Sequence, residues 1–295
     1  MTQAITGLWA AATTPLSATG AIDHAGFARH ACRLLDWGCD GMVLFGSCGE
    51  GPSFSIATKL AAIEAVLRAG IAPDRLAVGT GCPAIEDSVA LTKGVLSLGI
   101  ANAMILPPYY FAGVSAQGIE DSFEAILQGV ADDRLSACLY HIPQVCGVGV
   151  PPEVLGRMAA RHPKTVTGVK DSSGDWDSFV AFRREAPTVS ALVGAEVLIA
   201  RAMAIGGAGT ICGMANLTPA LVRRQLTDAS AQDDMIAACA LIDGIPMIKA
   251  VQAELVNEPM WRAMHPPLVT ADAAAAKRIA AELTRLNGGM QRAAE

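Results

Sequence analysis

Short apolar runs and longer amphipathic stretches alternate eight times along this chain, and that rhythm restricts its fold more than any other feature. The runs are GLWAAATTP (7–15), GMVLFG (41–46), LAVGTG (76–81), AMILPP (103–108), SACLYHIP (136–143), VTGVK (166–170), SALVGAE (190–196) and GTICGMAN (209–216). Between them, stretches such as HAGFARHACRLLDW, IATKLAAIEAVLRA, GIEDSFEAILQGV and PEVLGRMAARH space their apolar residues as helices do. A strand followed by a helix, repeated, builds a parallel sheet. Eight such units, at roughly 25–35 residues each, predict a closed α/β (β/α)8 TIM barrel rather than an open doubly wound sheet.

The ends of the runs support closure. They carry small, polar or aromatic clusters: TTP, GSCGEG, TGCP, PPYY, YHIPQ, KDSSGD, GAE and GMAN. A barrel gathers such ends on one face, where active sites are built, whereas an open sheet spreads them along an edge. No G-x-G-x-x-G follows the first run and no G-x-x-x-x-G-K-[ST] occurs, so nucleotide folds lose their usual support. Beyond about residue 225 the rhythm stops. DDMIAACALIDGIPMIKAVQAELV and ADAAAAKRIAAELTRLNGGM read as helices joined by NEPMWRAMHPPLVT. The expected division is a barrel over 1–225 with 226–295 as helices packed on it, too short for a second core.

Composition removes other classes. Apolar residues form 52% of the 295 and charged residues 17%, which leaves no room for a disordered or solvating role. A net charge of −6 without a basic block argues against nucleic acid and anionic membrane. The opening MTQAITGLWAAATTPL lacks a basic leader, and Gly, Pro or charge cuts every apolar segment. A cytoplasmic protein is expected. None of the eight cysteines forms a C-x-x-C pair and the five histidines lack metal-ligand spacing, so no metal site is expected.

Three strand ends carry chemistry. TVTGVKDSSGDW (165–176) ends a β-branched run on Lys170, in a chain with few lysines. Most strand-end lysines extend into water. An amine desolvated by apolar walls instead has a lowered pKa and can attack a carbonyl carbon to give a Schiff base. In Gly46-Ser47-Cys48-Gly49-Glu50-Gly51 the glycines let backbone N–H groups approach an anion, although an ordinary tight turn would account for the stretch taken alone. All three tyrosines, Tyr109, Tyr110 and Tyr140, lie at strand ends, where a hydroxyl serves either packing or proton transfer. Gathered on one face, these groups suit a 2-oxo acid such as pyruvate, with ketone and carboxylate on adjacent carbons. The iminium is an electron sink for bond formation or cleavage at C3, and the scheme needs no metal or other cofactor.

GSCGEG, PPYYF, LYHIPQ, GVKDSSGD and GGAGTICGMAN, in this order, resemble the dihydrodipicolinate synthase/N-acetylneuraminate lyase family. The likeness runs from TTPL to HPPL, nearly the full length. It implies a (β/α)8 barrel with C-terminal helices and a homo-oligomer, usually a tetramer. It makes Lys170 the Schiff-base residue, Tyr140 the proton-transfer residue, and Ser47 and Cys48 the holders of the pyruvate carboxylate, with Gly194 and Ile211 also at the substrate. Tyr110 matches the tyrosine lent to a neighbouring subunit's site, where it joins Tyr140 and Ser47 in a relay.

Several residues depart from that pattern. Cys48 replaces the usual threonine, exchanging a hydroxyl donor for a weaker thiol. Val145 stands where the lysine-biosynthetic synthases carry an arginine for the aldehyde's carboxylate, and valine cannot form that bidentate pair. Aspartate semialdehyde is therefore disfavoured. A nine-carbon sugar acid is also disfavoured, since Glu196 is the one polar side chain in GAEV and Gly213-Met214-Ala215 offers none. His141, in place of an asparagine, and Gln144 are candidates for contacting a substrate hydroxyl, or for structural hydrogen bonds. The expectation is a metal-free class I lyase that adds or removes a 2-oxo acid at an aldehyde. A 2-keto-3-deoxy sugar acid dehydratase using the same iminium, a non-catalytic oxo-acid binder and a phosphate-binding barrel enzyme are the alternatives.

Overall fold

The computed structural model describes residues 4–286. Eight parallel strands close into a barrel: β1 (Gly7–Ala11), β2 (Gly41–Leu44), β3 (Leu76–Gly79), β4 (Asn102–Ile105), β5 (Ser136–His141), β6 (Val166–Asp171), β7 (Ser190–Val193) and β8 (Gly209–Cys212). Each pairs with the next in sequence, and β8 returns to β1 through Trp9 opposite Ile211. The outer layer comprises α1 (His24–Asp36), α2 (Ile56–Arg68), α3 (Ile85–Ser97), α4 (Ala116–Val130), the single turn α5 (Pro143–Cys146), α6 (Pro152–Arg161), α7 (Trp176–Glu185), α8 (Ile199–Ala204) and α9 (Pro219–Thr227). Caps set several starts: Asp23, Ser55 and Ser115 each accept a first-turn N–H, from Gly26, Thr58 and Gly118.

All eight predicted runs are strands, and all but the sixth overshoot the true C-terminal end. The overshooting residues leave the sheet to build the rim. Alternation along the strands divides the core. Trp9, Ala11, Val43, Ala77, Met104, Cys138, Tyr140, Leu192 and Ile211 form the cluster inside the barrel. Their neighbours, among them Leu8, Ala10, Met42, Leu44, Val78, Ile105 and Leu139, face the helices. Near its N-terminal end the barrel is filled by Trp9, whose indole lies over Gly41: a Cβ on that glycine would come within 2.8 Å of the ring. Trp9 Nε1 donates to the Thr6 carbonyl at 3.0 Å.

The C-terminal segment folds as α10 (Gln232–Ala240), α11 (Gly244–Leu255) and α12 (Ala273–Leu286). The segment DDMIAACALIDGIPMIKAVQAELV, predicted as one helix, breaks before Gly244, whose φ of +70° is open to glycine. Met235, Ile248, Val251, Ala276 and Leu283 join the same buried cluster as the barrel's outer layer. The end of the second predicted helix, from residue 287, lies outside the described residues. Among those described, no helix is long and apolar enough to cross a membrane.

Candidate active site

Tyr140 and Lys170 are direct partners in the β5–β6 register, so both point into the barrel near its C-terminal rim. Lys170 is 4% exposed. Its Nζ donates to the Tyr140 hydroxyl at 3.3 Å and lies 4.3 Å from the centroid of the same ring. Tyr140 Oη in turn sits 3.4 Å from Ser47 Oγ. Lysine, phenol and serine thus form one chain from the sealed interior to the β2 loop.

That loop is a tight turn in which Gly49 N and Gly51 N donate to Gly46 O, and Glu50 N to Ser47 O. The N–H groups of Ser47 and Cys48 find no acceptor in any other described residue. These two adjacent donors, the second of which meets only its own thiol, form a concavity suited to an anion at the loop corner. Gly51 permits the close fold, since a Cβ there would stand 2.0 Å from Phe45 O. Thr14 Oγ1 ties the loop to the end of β1 by donating to Gly49 O at 2.8 Å.

The electrostatics differ from the sequence expectation of a lowered lysine pKa. Burial is the largest influence on Lys170 and disfavours the ammonium, but Tyr140, Cys48 and Cys212 as anions, together with the Tyr140 hydrogen bond, outweigh it and raise the value. Burial pushes the Cys48 and Cys212 thiols up, which keeps them protonated near neutrality. Desolvation acts against the ammonium, while the Tyr140 oxygen is the amine's hydrogen-bond partner and favours it.

The other candidates divide. A Cβ on Gly194 would meet Ser172 Oγ at 1.9 Å and Lys170 Cε at 3.1 Å, so this glycine touches the lysine stem. Ile211 is sealed inside the barrel. Gly213, Cys48 and Glu196 converge: a Cβ on Gly213 would lie 3.3 Å from Cys48 Sγ and 3.8 Å from Glu196 Oε1. Glu196 Oε1 also accepts the Met214 N–H at 3.0 Å. His141 turns into the layer between β5 and α7, where its ring meets Phe182 edge-on and its Nδ1 accepts the Val150 N–H at 2.9 Å. Burial lowers its pKa, in keeping with that neutral acceptor role. Gln144 donates to the Ser172 carbonyl at 2.6 Å. Val145, on α5, is 66% exposed. Tyr110 is 85% exposed, with its ring against Phe111 and a φ of +98°, and it has no contact with Tyr140 or Ser47 within the chain among the described residues.

Sequence reasoning passed over a buried polar scaffold beside the site. Asp171, next to Lys170, is buried, accepts from Ser173 through Oδ1 and leaves Oδ2 without a partner. Thr13, His30, Glu50, Asn216, Lys249 and Gln252 are likewise buried. The available signal was Glu50 inside a glycine-rich loop and Lys249 flanked by Met247, Ile248, Ala250 and Val251. Among the described residues no cluster of His, Cys, Asp or Glu has the makings of a metal site. A separate cavity of about 1090 Å³ opens at the opposite face around Trp9, Arg75 and Asn102, and none of the Lys170 cluster lines it.

Comparison with known proteins shows the chain's family. A lyase of Chloroflexus aurantiacus described as DapA-like is 32% identical over 241 residues, which span 81% of this chain and 80% of that protein. A 4-hydroxy-tetrahydrodipicolinate synthase of Moorella thermoacetica is 32% identical over 244 residues, covering 82% and 81%. The crystal structure of dihydrodipicolinate synthase from Agrobacterium tumefaciens superposes with a TM-score of 0.90 at 32% identity, over 96% of this chain and 99% of that one. The profile of the dihydrodipicolinate synthetase family matches residues 4–272, and this protein belongs to that family of class I lyases and aldolases.

Proposed function

We propose that this protein is a Schiff-base lyase that joins pyruvate or another 2-oxo acid to an aldehyde, or cleaves the product, through Lys170. The observation that carries the reading is buried Lys170 joined through buried Tyr140 to Ser47, beside the Ser47 and Cys48 N–H groups that no other described residue accepts. The carboxylate would accept those N–H groups, which sets the adjacent ketone carbon before Lys170 Nζ. Attack by the amine forms the C–N bond and a carbinolamine, and loss of its hydroxyl as water leaves the iminium. Tyr140, hydrogen-bonded to the amine, relays the protons to and from Ser47. Loss of a C3 proton then gives an enamine that attacks the aldehyde carbon, and water finally hydrolyses the iminium to free the lysine.

Val145 supports an aldehyde without a carboxylate, because the resemblance to the lysine-biosynthetic synthases puts an arginine at this exposed position and valine cannot grip a carboxylate. Aspartate semialdehyde is accordingly not the proposed partner, although relatives include 4-hydroxy-tetrahydrodipicolinate synthases. Exposed Tyr110 and Phe111 support assembly as a homo-oligomer, a tetramer in our reading, acting in the cytoplasm. The test is peptide mass spectrometry after incubation with pyruvate and borohydride. A reduced pyruvyl adduct on Lys170, absent in a folded Lys170→Ala variant, is expected. Absence of the adduct in the folded wild type would remove the mechanism and leave an oxo-acid binder.

A further inference from the structure

Helix α11 belongs to the C-terminal segment, yet three of its residues reach the rim of the barrel. Lys249 Nζ meets Glu50 Oε1 at 2.5 Å, with both side chains fully excluded from solvent. Glu50 Oε2 accepts the His265 N–H at 3.1 Å. Glu50 lies two positions after Cys48 and holds a left-handed φ of 53°, which a non-glycine residue adopts at a cost. One turn on, Gln252 Oε1 accepts from Thr13 Oγ1 at 2.6 Å, and its Nε2 faces His30 Nδ1 at 3.3 Å. His30 Nε2 lies 3.0 Å from Asn216 Oδ1, and Asn216 Nδ2 donates to the carbonyls of Ala11 and Gly213. Between these anchors Ile248 Cδ1 lies 2.9 Å from where a Gly213 side chain would begin.

A buried ion pair is weak as a stabilising device, because desolvation offsets much of its attraction. A pair closed to solvent on the shoulder of a ligand-binding loop does something else well: it fixes position. We infer that Lys249, through Glu50, is a positioning residue that holds the Ser47–Cys48 carboxylate cradle in register with the β8 rim, which Gln252 anchors from the same helical face. The inference rests on the proposed pyruvate site for its ligand, but the loop geometry it describes exists without catalysis.

The experiment compares wild type with Lys249→Met and with the double variant Glu50→Gln/Lys249→Met, which carries no unpaired buried charge. Two quantities are read: half-saturating pyruvate for borohydride trapping on Lys170, and the rate of Cys48 alkylation by iodoacetamide, resolved by peptide mass spectrometry. In the folded variants half-saturation should rise by about tenfold, with the saturating trapping rate within about twofold of wild type, since misplacing a ligand's anchor weakens its capture first. Cys48 alkylation should quicken by about tenfold as the loop opens. Folded variants with either quantity unchanged would overturn the assignment, as would a fall in saturating rate at constant half-saturation. Failure of both variants to fold would also overturn it, by showing that the pair holds the fold and not the loop. If the wild type forms no adduct, the pyruvate reading fails by itself and Cys48 alkylation alone decides the role of Lys249.

Discussion

Gly194→Ala tests how closely the lysine stem is held. The added methyl would stand 1.9 Å from Ser172 Oγ, 2.9 Å from Ser172 Cβ and 3.1 Å from Lys170 Cε. The hydroxyl can rotate away, but the two carbons cannot. Carbon atoms in good contact sit about 3.5 Å apart or more, so the backbone at Ser172 must yield by about 0.6 Å and the lysine by about 0.4 Å. Overpacking of this kind costs about 1–3 kcal/mol. A misplacement of about 1 Å costs about a hundredfold in rate, so roughly half that displacement predicts adduct formation slowed by about tenfold. Denaturant unfolding gives the first quantity, and time-resolved borohydride trapping with pyruvate the second. The double variant Ser172→Gly/Gly194→Ala separates the two causes: it removes the serine clash and leaves the lysine contact, so stability should recover while trapping stays slow. Gly194→Ala with unaltered stability and unaltered trapping would refute the argument.

Tyr140→Phe removes the oxygen joining Lys170 to Ser47 while keeping the ring. Turnover should fall by about 10²–10⁴-fold, with folding intact by circular dichroism, and a loss under tenfold would take Tyr140 out of the relay. His30, fully buried with its pKa lowered by desolvation to about 4, contributes stability that is complete above pH 6.5, its ordinary value, and is lost as pH falls through the folded value. Between pH 7 and 4.5 that loss should amount to about 2–3 kcal/mol, read by urea titration at both pH values. The His30→Gln variant should lose less over the same range by about that amount, and parallel losses in the two proteins would contradict a neutral, buried His30.

The barrel was legible because strand and helix each announce themselves locally, through apolar runs such as GMVL and VTGVK and capped amphipathic stretches such as that opening at Asp23. Lys170, Tyr140 and the β2 loop could be marked as strand-end features, and the register brings Lys170 beside Tyr140. What escaped was long-range. Glu50 and Lys249 are separated by 199 positions, and Thr13 and Gln252 by 239. No local pattern distinguishes such a partner from a solvated surface residue. The orientation of His141 was equally hidden, since it depends on which face of β5 meets Phe182. The helix break at Gly244 did carry a local signal that was passed over: Asp243-Gly244 is a turn dipeptide, and Pro246 falls in the first turn of α11, where a missing N–H costs nothing.

Trp9 gives the barrel a closed end. With the indole seated over Gly41 and Val43, Met104, Cys138, Leu192 and Ile211 filling the interior, the barrel is a vessel stopped at one end. Among the described residues that end is closed, so a ligand of Lys170 would enter from the C-terminal rim. Under the proposed cycle the 2-oxo acid would bond to the lysine before the aldehyde arrives in condensation and would leave after it in cleavage, an order that follows from depth alone.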